Sequence, residues 1–127
     1  MLLQHEADKS VVRMKILFVF LAMISCTVVA NLLLKMGAVS GGSGGGIGHL
    51  LNWRVALGLF SFGLAACFYI LVLQWLPLNV AQSFASAQFI AVILASTLLL
   101  SEPIRSTQWV GIALITLGIA IVGWSQR

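Results

Sequence analysis

Polar side chains recur at helical spacing within otherwise apolar sequence, and they are the groups able to do chemistry. Thr27, Asn31 and Lys35 fall at i, i+4 and i+8, so a helix places them on one face. Thr27 can hydrogen-bond its own backbone. Asn31 carries a carboxamide that seeks a partner in hydrocarbon. Lys35 either snorkels to the membrane interface or meets an anionic headgroup at the end of this stripe. A second stripe, Asn79, Gln82, Ser83 and Ser86, follows an i, i+3, i+4, i+7 pattern. It reads as the lining of a wetted cavity or as interhelical packing; Gln88 lies off it and reads as packing. The lone tyrosine, Tyr69, offers a hydroxyl to the cavity or to the interface.

The missing groups narrow the chemistry further. The three carboxylates are Glu6, Asp8 and Glu102, none in the middle of an apolar run, and His5 and His49 also lie outside these runs. No nucleophile–base–carboxylate set, paired acids or metal-ligand spacing occurs, so the expectation is a protein that is not an enzyme and has no metal and no cofactor. Cys26 and Cys67 sit mid-stretch and read as small apolar fillers. Proton-coupled antiport by an intramembrane acid finds no acid to use. Nucleic acid binding is excluded in the same way, because no basic face is interleaved with aromatics.

Four apolar stretches must position these residues: Ile16–Met36, Val55–Leu76, Leu78–Leu100 and Trp109–Trp124. About 20 apolar residues cross a bilayer core as a helix. The chain of 127 residues is 61% hydrophobic and only 8% charged, against about 25% charged in soluble domains. The expected fold is therefore all-α, one integral membrane domain over residues 1–127, with four transmembrane helices. The first stretch has a basic flank like a signal peptide, but its apolar run continues through Leu34, so it is read as a retained helix. Residues 1–15 read as a polar tail, and the Gly/Ser run from Gly37 to Gly48 as a flexible connector. Pro77 forces a tight turn between the second and third helices. Trp53, Trp75, Trp109 and Trp124 mark helix ends as interfacial anchors.

Four spans put both termini on one side. Lys9, Arg13, Lys15 and Arg127 lie there, against Lys35, Arg54 and Arg105 opposite. This weak bias places the termini in the cytoplasm, and its near-balance also permits dual orientation. Glu102 beside Arg105 reads as a loop salt bridge that helps start the last helix. Gly111 and Gly118 share one face of that helix, for packing within the subunit or for a dimer seam. Four thin helices enclose little volume, so a transport pathway calls for two copies or a paralogous partner.

Asn31-Leu32-Leu33-Leu34-Lys35, the hairpin Leu71-Val72-Leu73-Gln74-Trp75-Leu76-Pro77-Leu78-Asn79-Val80-Ala81, Glu102-Pro103 and the Gly-rich last helix together resemble the drug/metabolite transporter superfamily over residues 16–124. Its small multidrug resistance exporters, of the EmrE type, carry an essential Glu that falls on Thr27 when their Lys is placed on Lys35. The chain is more similar to the ArnE/ArnF-type subunits proposed to flip aminoarabinose-phosphoundecaprenol. That resemblance implies a dimeric flippase in the bacterial inner membrane whose cargo is a polyprenyl-phosphate-linked sugar. Thr27, Asn31, Tyr69, Gln82, Ser83 and Ser86 would line a polar groove, with Lys35, Arg54 and Arg105 meeting the phosphate. The alternatives are a small multidrug or metabolite exporter and an accessory membrane subunit.

Overall fold

A computed structural model describes residues 1–40 and 52–125. Five helices follow in order: α1 Leu2–Ser40, α2 Trp53–Leu73, α3 Leu78–Ala85, α4 Ala87–Leu100 and α5 Ser106–Ser125. Because α3 and α4 run nearly end to end, the helices make four stretches long and apolar enough to cross a membrane: Leu2–Ser40, Trp53–Leu73, Leu78–Leu100 and Ser106–Ser125. The large apolar side chains lie outside rather than inside. Leu98 is 80% exposed and Phe18 76%, an outer surface suited to lipid and not to water.

The element boundaries differ from the sequence expectation in ways that have physical causes. The tail expected over residues 1–15 is the first part of α1, and Gly37–Ser40 continue the same helix. Once a long helix is nucleated, each added residue gains a hydrogen bond at little further cost, and no proline interrupts the chain before Pro77. The rest of the expected flexible connector, Gly41–Gly48, lies outside the described residues, as do His49 and Arg127. The turn before Pro77 is tight as expected: Leu76 N–H donates to Val72 O at 3.0 Å, and α3 starts directly after the proline.

The third span is not one regular helix. At Ser86 the backbone takes φ −59° and ψ −22°, the geometry of a tighter 3₁₀ turn. Ser86 N–H is shared between Gln82 O and Ser83 O, and Phe89 N–H reaches Ser86 O at 3.1 Å. Two serine hydroxyls bond back one turn at this place, Ser83 to Asn79 O and Ser86 to Gln82 O. Such back-bonding competes with the regular ladder and bends helices.

The tightest packing joins α1 to α2. The buried residues of α2 are Gly58, Ala65 and Val72, one every seven positions. That small-residue stripe meets Phe20, Met23, Thr27, Ala30 and Gly37 of α1. Without a hydrophobic drive between helices in lipid, close backbone approach supplies the attraction. The approach is close enough that a Cβ on Gly58 would sit 2.9 Å from Leu34 Cγ and 3.1 Å from Ala30 O. On Gly37 it would sit 2.7 Å from Val55 Cγ2. Phe20 of α1 meets Phe84 of α3 edge to face, with centroids 6.1 Å apart. α4 packs on α1, while α5 packs mainly on α3 and α4 and buries only Ile112.

These contacts bear on a choice that the sequence leaves open. Gly111 and Gly118 make no close contact within the subunit, since a Cβ at either would meet nothing within 4 Å. The glycines that permit close approach are Gly37 and Gly58. Gly58→Ala is therefore expected to destabilise the folded subunit by about 1–3 kcal/mol, the usual cost of overpacking. Gly63→Ala, in the same helix but facing open space, should stay within about 0.5 kcal/mol of the parent. Reversible unfolding of both variants in mixed micelles compares them directly.

Candidate functional site

The site is built where α1, α2 and the α3–α4 break meet. A cavity of about 260 Å³ is lined by Met23, Thr27, Phe62, Ala65, Ala66, Tyr69, Gln82, Ala85 and Gln88. Small side chains on α2 leave the space open, and the bend at Ser86 brings residues on both sides of the break to it. Its polar members, Thr27, Tyr69, Gln82 and Gln88, are all uncharged. Thr27 is buried and donates its hydroxyl to Met23 O at 2.9 Å, so its oxygen keeps acceptor capacity for a ligand. The carboxamides of Gln82 and Gln88 make no hydrogen bonds among the described residues, which leaves their donors and acceptors available.

Tyr69 stands apart. Its ring lines the cavity, but its hydroxyl oxygen is buried and has no hydrogen-bond partner among the described residues. A buried polar group without a partner costs about 1–3 kcal/mol, so Tyr69 holds a polar group in reserve beside the cavity.

The expected groove residues divide between two places. Thr27, Tyr69 and Gln82 share the inner cavity. Ser83 and Ser86 line a separate cleft of about 420 Å³ against α5, with Phe89, Ile115, Gly118, Ile119 and Val122. The helical phase of the third span separates them: neighbours such as Gln82 and Ser83 point about 100° apart, so Gln82 with Ala85 and Gln88 faces α1 and α2 while Ser83 with Ser86 and Phe89 faces α5. Asn31 lines neither space. Its Nδ2 donates to Thr27 O at 2.8 Å, so it finds the partner it needs on its own helix. Gln88, expected to be packing, lines the cavity beside Gln82 and Ala85; the three stand at i, i+3 and i+6, a spacing that already puts them on one side of a helix.

Lys35, Arg54, Glu102 and Arg105 stand at the end of the bundle where α1 finishes and α2 and α5 begin, while Glu6, Asp8, Lys9, Arg13 and Lys15 lie on the first part of α1. Lys35 Nζ lies 3.0 Å from Glu102 Oε1. This corrects the expected Glu102–Arg105 pair. Ser101, at the end of α4, takes a left-handed conformation with φ 55° and, with Pro103, sets Glu102 towards α1. The start of α5 is served by another residue: Gln108 Oε1 accepts the Arg105 backbone N–H at 2.8 Å, half of the reciprocal capping arrangement found at helix starts. Gln108 three residues after the cap was the available sequence signal. Arg54 Nη1 donates to Ser40 Oγ at 2.7 Å, and its guanidinium lies 5.7 Å from the Trp53 ring centroid. Among the described residues Arg105 joins no ion pair.

The EamA-like transporter family model matches residues 8–124. A probable 4-amino-4-deoxy-L-arabinose-phosphoundecaprenol flippase subunit ArnE of Escherichia fergusonii is 41% identical over 75 residues, 59% of this chain and 67% of that protein. The proteins of the same name from Salmonella paratyphi B and Salmonella typhimurium are 38% identical over 81 residues, 64% of this chain and 72% of theirs. No solved structure matches.

Tyr69→Phe removes the unpartnered hydroxyl and keeps the ring. The unliganded protein should then gain about 1 kcal/mol or more in stability, the sign opposite to that of most core substitutions. Thermal or denaturant unfolding in detergent reads this directly.

Proposed function

The chain belongs to the EamA-like transporter family, and from that premise we propose that it translocates a polyprenyl-phosphate-linked sugar across a bacterial inner membrane. The relatives named as flippase subunits for an aminoarabinose-bearing lipid phosphate support this cargo class. The observation that carries the reading is the separation of polar from charged groups. A cavity whose polar members are all uncharged lies between α1, α2 and the third span, and Lys35, Arg54 and Arg105 stand apart from it at the end where α1 finishes. A lipid-linked sugar has matching parts: neutral hydroxyls, an anionic phosphate and an apolar tail that stays in hydrocarbon.

In this reading Thr27, Tyr69, Gln82 and Gln88 exchange hydrogen bonds with the sugar. Lys35, with Arg54 or Arg105, meets the phosphate. Asn31 stiffens α1 beside the cavity, and Ser83 and Ser86 act by bending the third span. The termini face the cytoplasm, so the cationic end faces outward. The functional unit is a dimer, with itself or a paralogous chain. The open face at Gly111 and Gly118 and the sparse packing of α5 support a partner there. The subunit carries out no covalent chemistry, and a gradient or removal of product on the far side drives net flux.

A second reading, export of cationic drugs in exchange for protons, is disfavoured by Thr27 at the place of the exporters' Glu. Proteoliposomes should accordingly show no export of cationic dye driven by a proton gradient, while a fluorescent polyprenyl-phosphate sugar changes leaflet. Lys35→Ala should cut that leaflet exchange at least about tenfold, the scale of losing a charge-assisted phosphate contact, with membrane insertion intact. Dye export with no lipid translocation would reverse the assignment.

A further inference from the structure

The ion pair between Lys35 and Glu102 has an occupant that can leave. Among the described residues it is the one salt bridge joining different elements, because the pair Lys9–Glu6 lies within α1. Its side chains are 53% and 46% exposed, so solvent and headgroups reach both, and a pair this open is worth little. Around it stand Arg54, held by Ser40 and Trp53, and Arg105, which has no ionic partner among the described residues. Among the described residues this end of the bundle therefore carries three cations and a single carboxylate. The imbalance calls for a further anion, and Glu102 satisfies Lys35 alone.

We infer that Lys35 is an anion site for a phosphate mono- or diester, and that Glu102 occupies it as an internal placeholder until phosphate displaces the carboxylate. The inference rests on the lipid-phosphate reading above and specifies how that site is kept closed. Phosphate is the better partner, since its several oxygens engage an ammonium and a guanidinium together, and guanidinium favours such forked contacts. Exchange also frees the α4–α5 connection, which the pair ties to the end of α1. The left-handed Ser101 and Pro103 on either side of Glu102 hold that connection in one shape, so it moves as a unit when the tie is released.

Equilibrium binding of undecaprenyl phosphate to the full chain in nanodiscs tests this. Glu102→Gln removes the competitor and keeps Lys35, so it should bind about two- to fivefold tighter than the parent, the range set by the strength of an open ion pair. Glu102→Asp, which shortens the reach but keeps the charge, should tighten binding less and decides the matter should the Gln variant fold poorly. Lys35→Ala should bind weakly, and adding Glu102→Gln to it should bring no gain. Inorganic phosphate serves as the second probe. Tightening for the lipid alone identifies a headgroup as the natural anion; tightening for both identifies phosphate from either source, and each supports the exchange. Unchanged or weaker binding by a folded Glu102 variant, or a gain that persists without Lys35, overturns it. Sugar-lipid translocation in proteoliposomes is measured separately, so loss of the flippase reading would leave this binding ratio legible.

Discussion

Hydrocarbon offers no hydrogen bonds, so each polar group carried into a membrane span must be satisfied by the protein itself. Most of the polar side chains here meet that demand locally. Thr27, Ser83, Ser86 and Thr116 return their hydroxyls to carbonyls one turn earlier, and Asn31 does the same with its amide. The consequences differ by place. On α1 the bonds leave one continuous helix. On the third span two of them fall beside Ser86, and the helix breaks there. Around that break Gln82 and Gln88 line one cavity and Ser83 and Ser86 another. Among the described residues, Tyr69 alone keeps a buried hydroxyl without a partner, beside the cavity where the other uncharged polar groups meet.

Packing is unequal across the bundle. The α1–α2 seam is close because Gly37 and Gly58 let backbones and side chains approach within van der Waals distance, with Ala65 and Val72 continuing the stripe. Against this firm pair, α5 is lightly held. A carrier of amphipathic cargo benefits from such a division: one rigid pair preserves the polar cavity, and a loosely packed helix makes room for a headgroup. Elements that move come from the less stable parts of a fold.

Charge is segregated along the axis of the bundle. Neutral polar groups occupy the interior, where an ionised group would be costly. The cations stand towards the two ends, Lys9, Arg13 and Lys15 at one and Lys35, Arg54 and Arg105 at the other, where water and headgroups solvate them. Lys35 is spaced to continue the Thr27–Asn31 stripe, so it links the interior to its own end. Its pairing with Glu102 joins the first helix to the last connection across a long stretch of sequence.

Several features were determined by the sequence alone. The four apolar runs could only be membrane helices, because their length and lack of charge leave no other solvent for them. Pro77 had to end a helix, since it lacks an N–H. Thr27 could satisfy itself on its own backbone, because a carbonyl one turn earlier is always within reach of a threonine hydroxyl. The tertiary structure decided what depends on distance between segments. It chose Lys35 over Arg105 as the partner of Glu102, because the left-handed Ser101 aims the acid at α1 and not along its own loop. Among the glycines set in helices it brought Gly37 and Gly58 into close approach and left Gly63, Gly111 and Gly118 open, because helical spacing shows which residues share a face but not what that face meets. It also split the polar stripe of the third span, because α1 and α2 pack against the side that carries Gln82 and α5 against the side that carries Ser83 and Ser86. Local spacing is a property of one helix, and a site is a property of several.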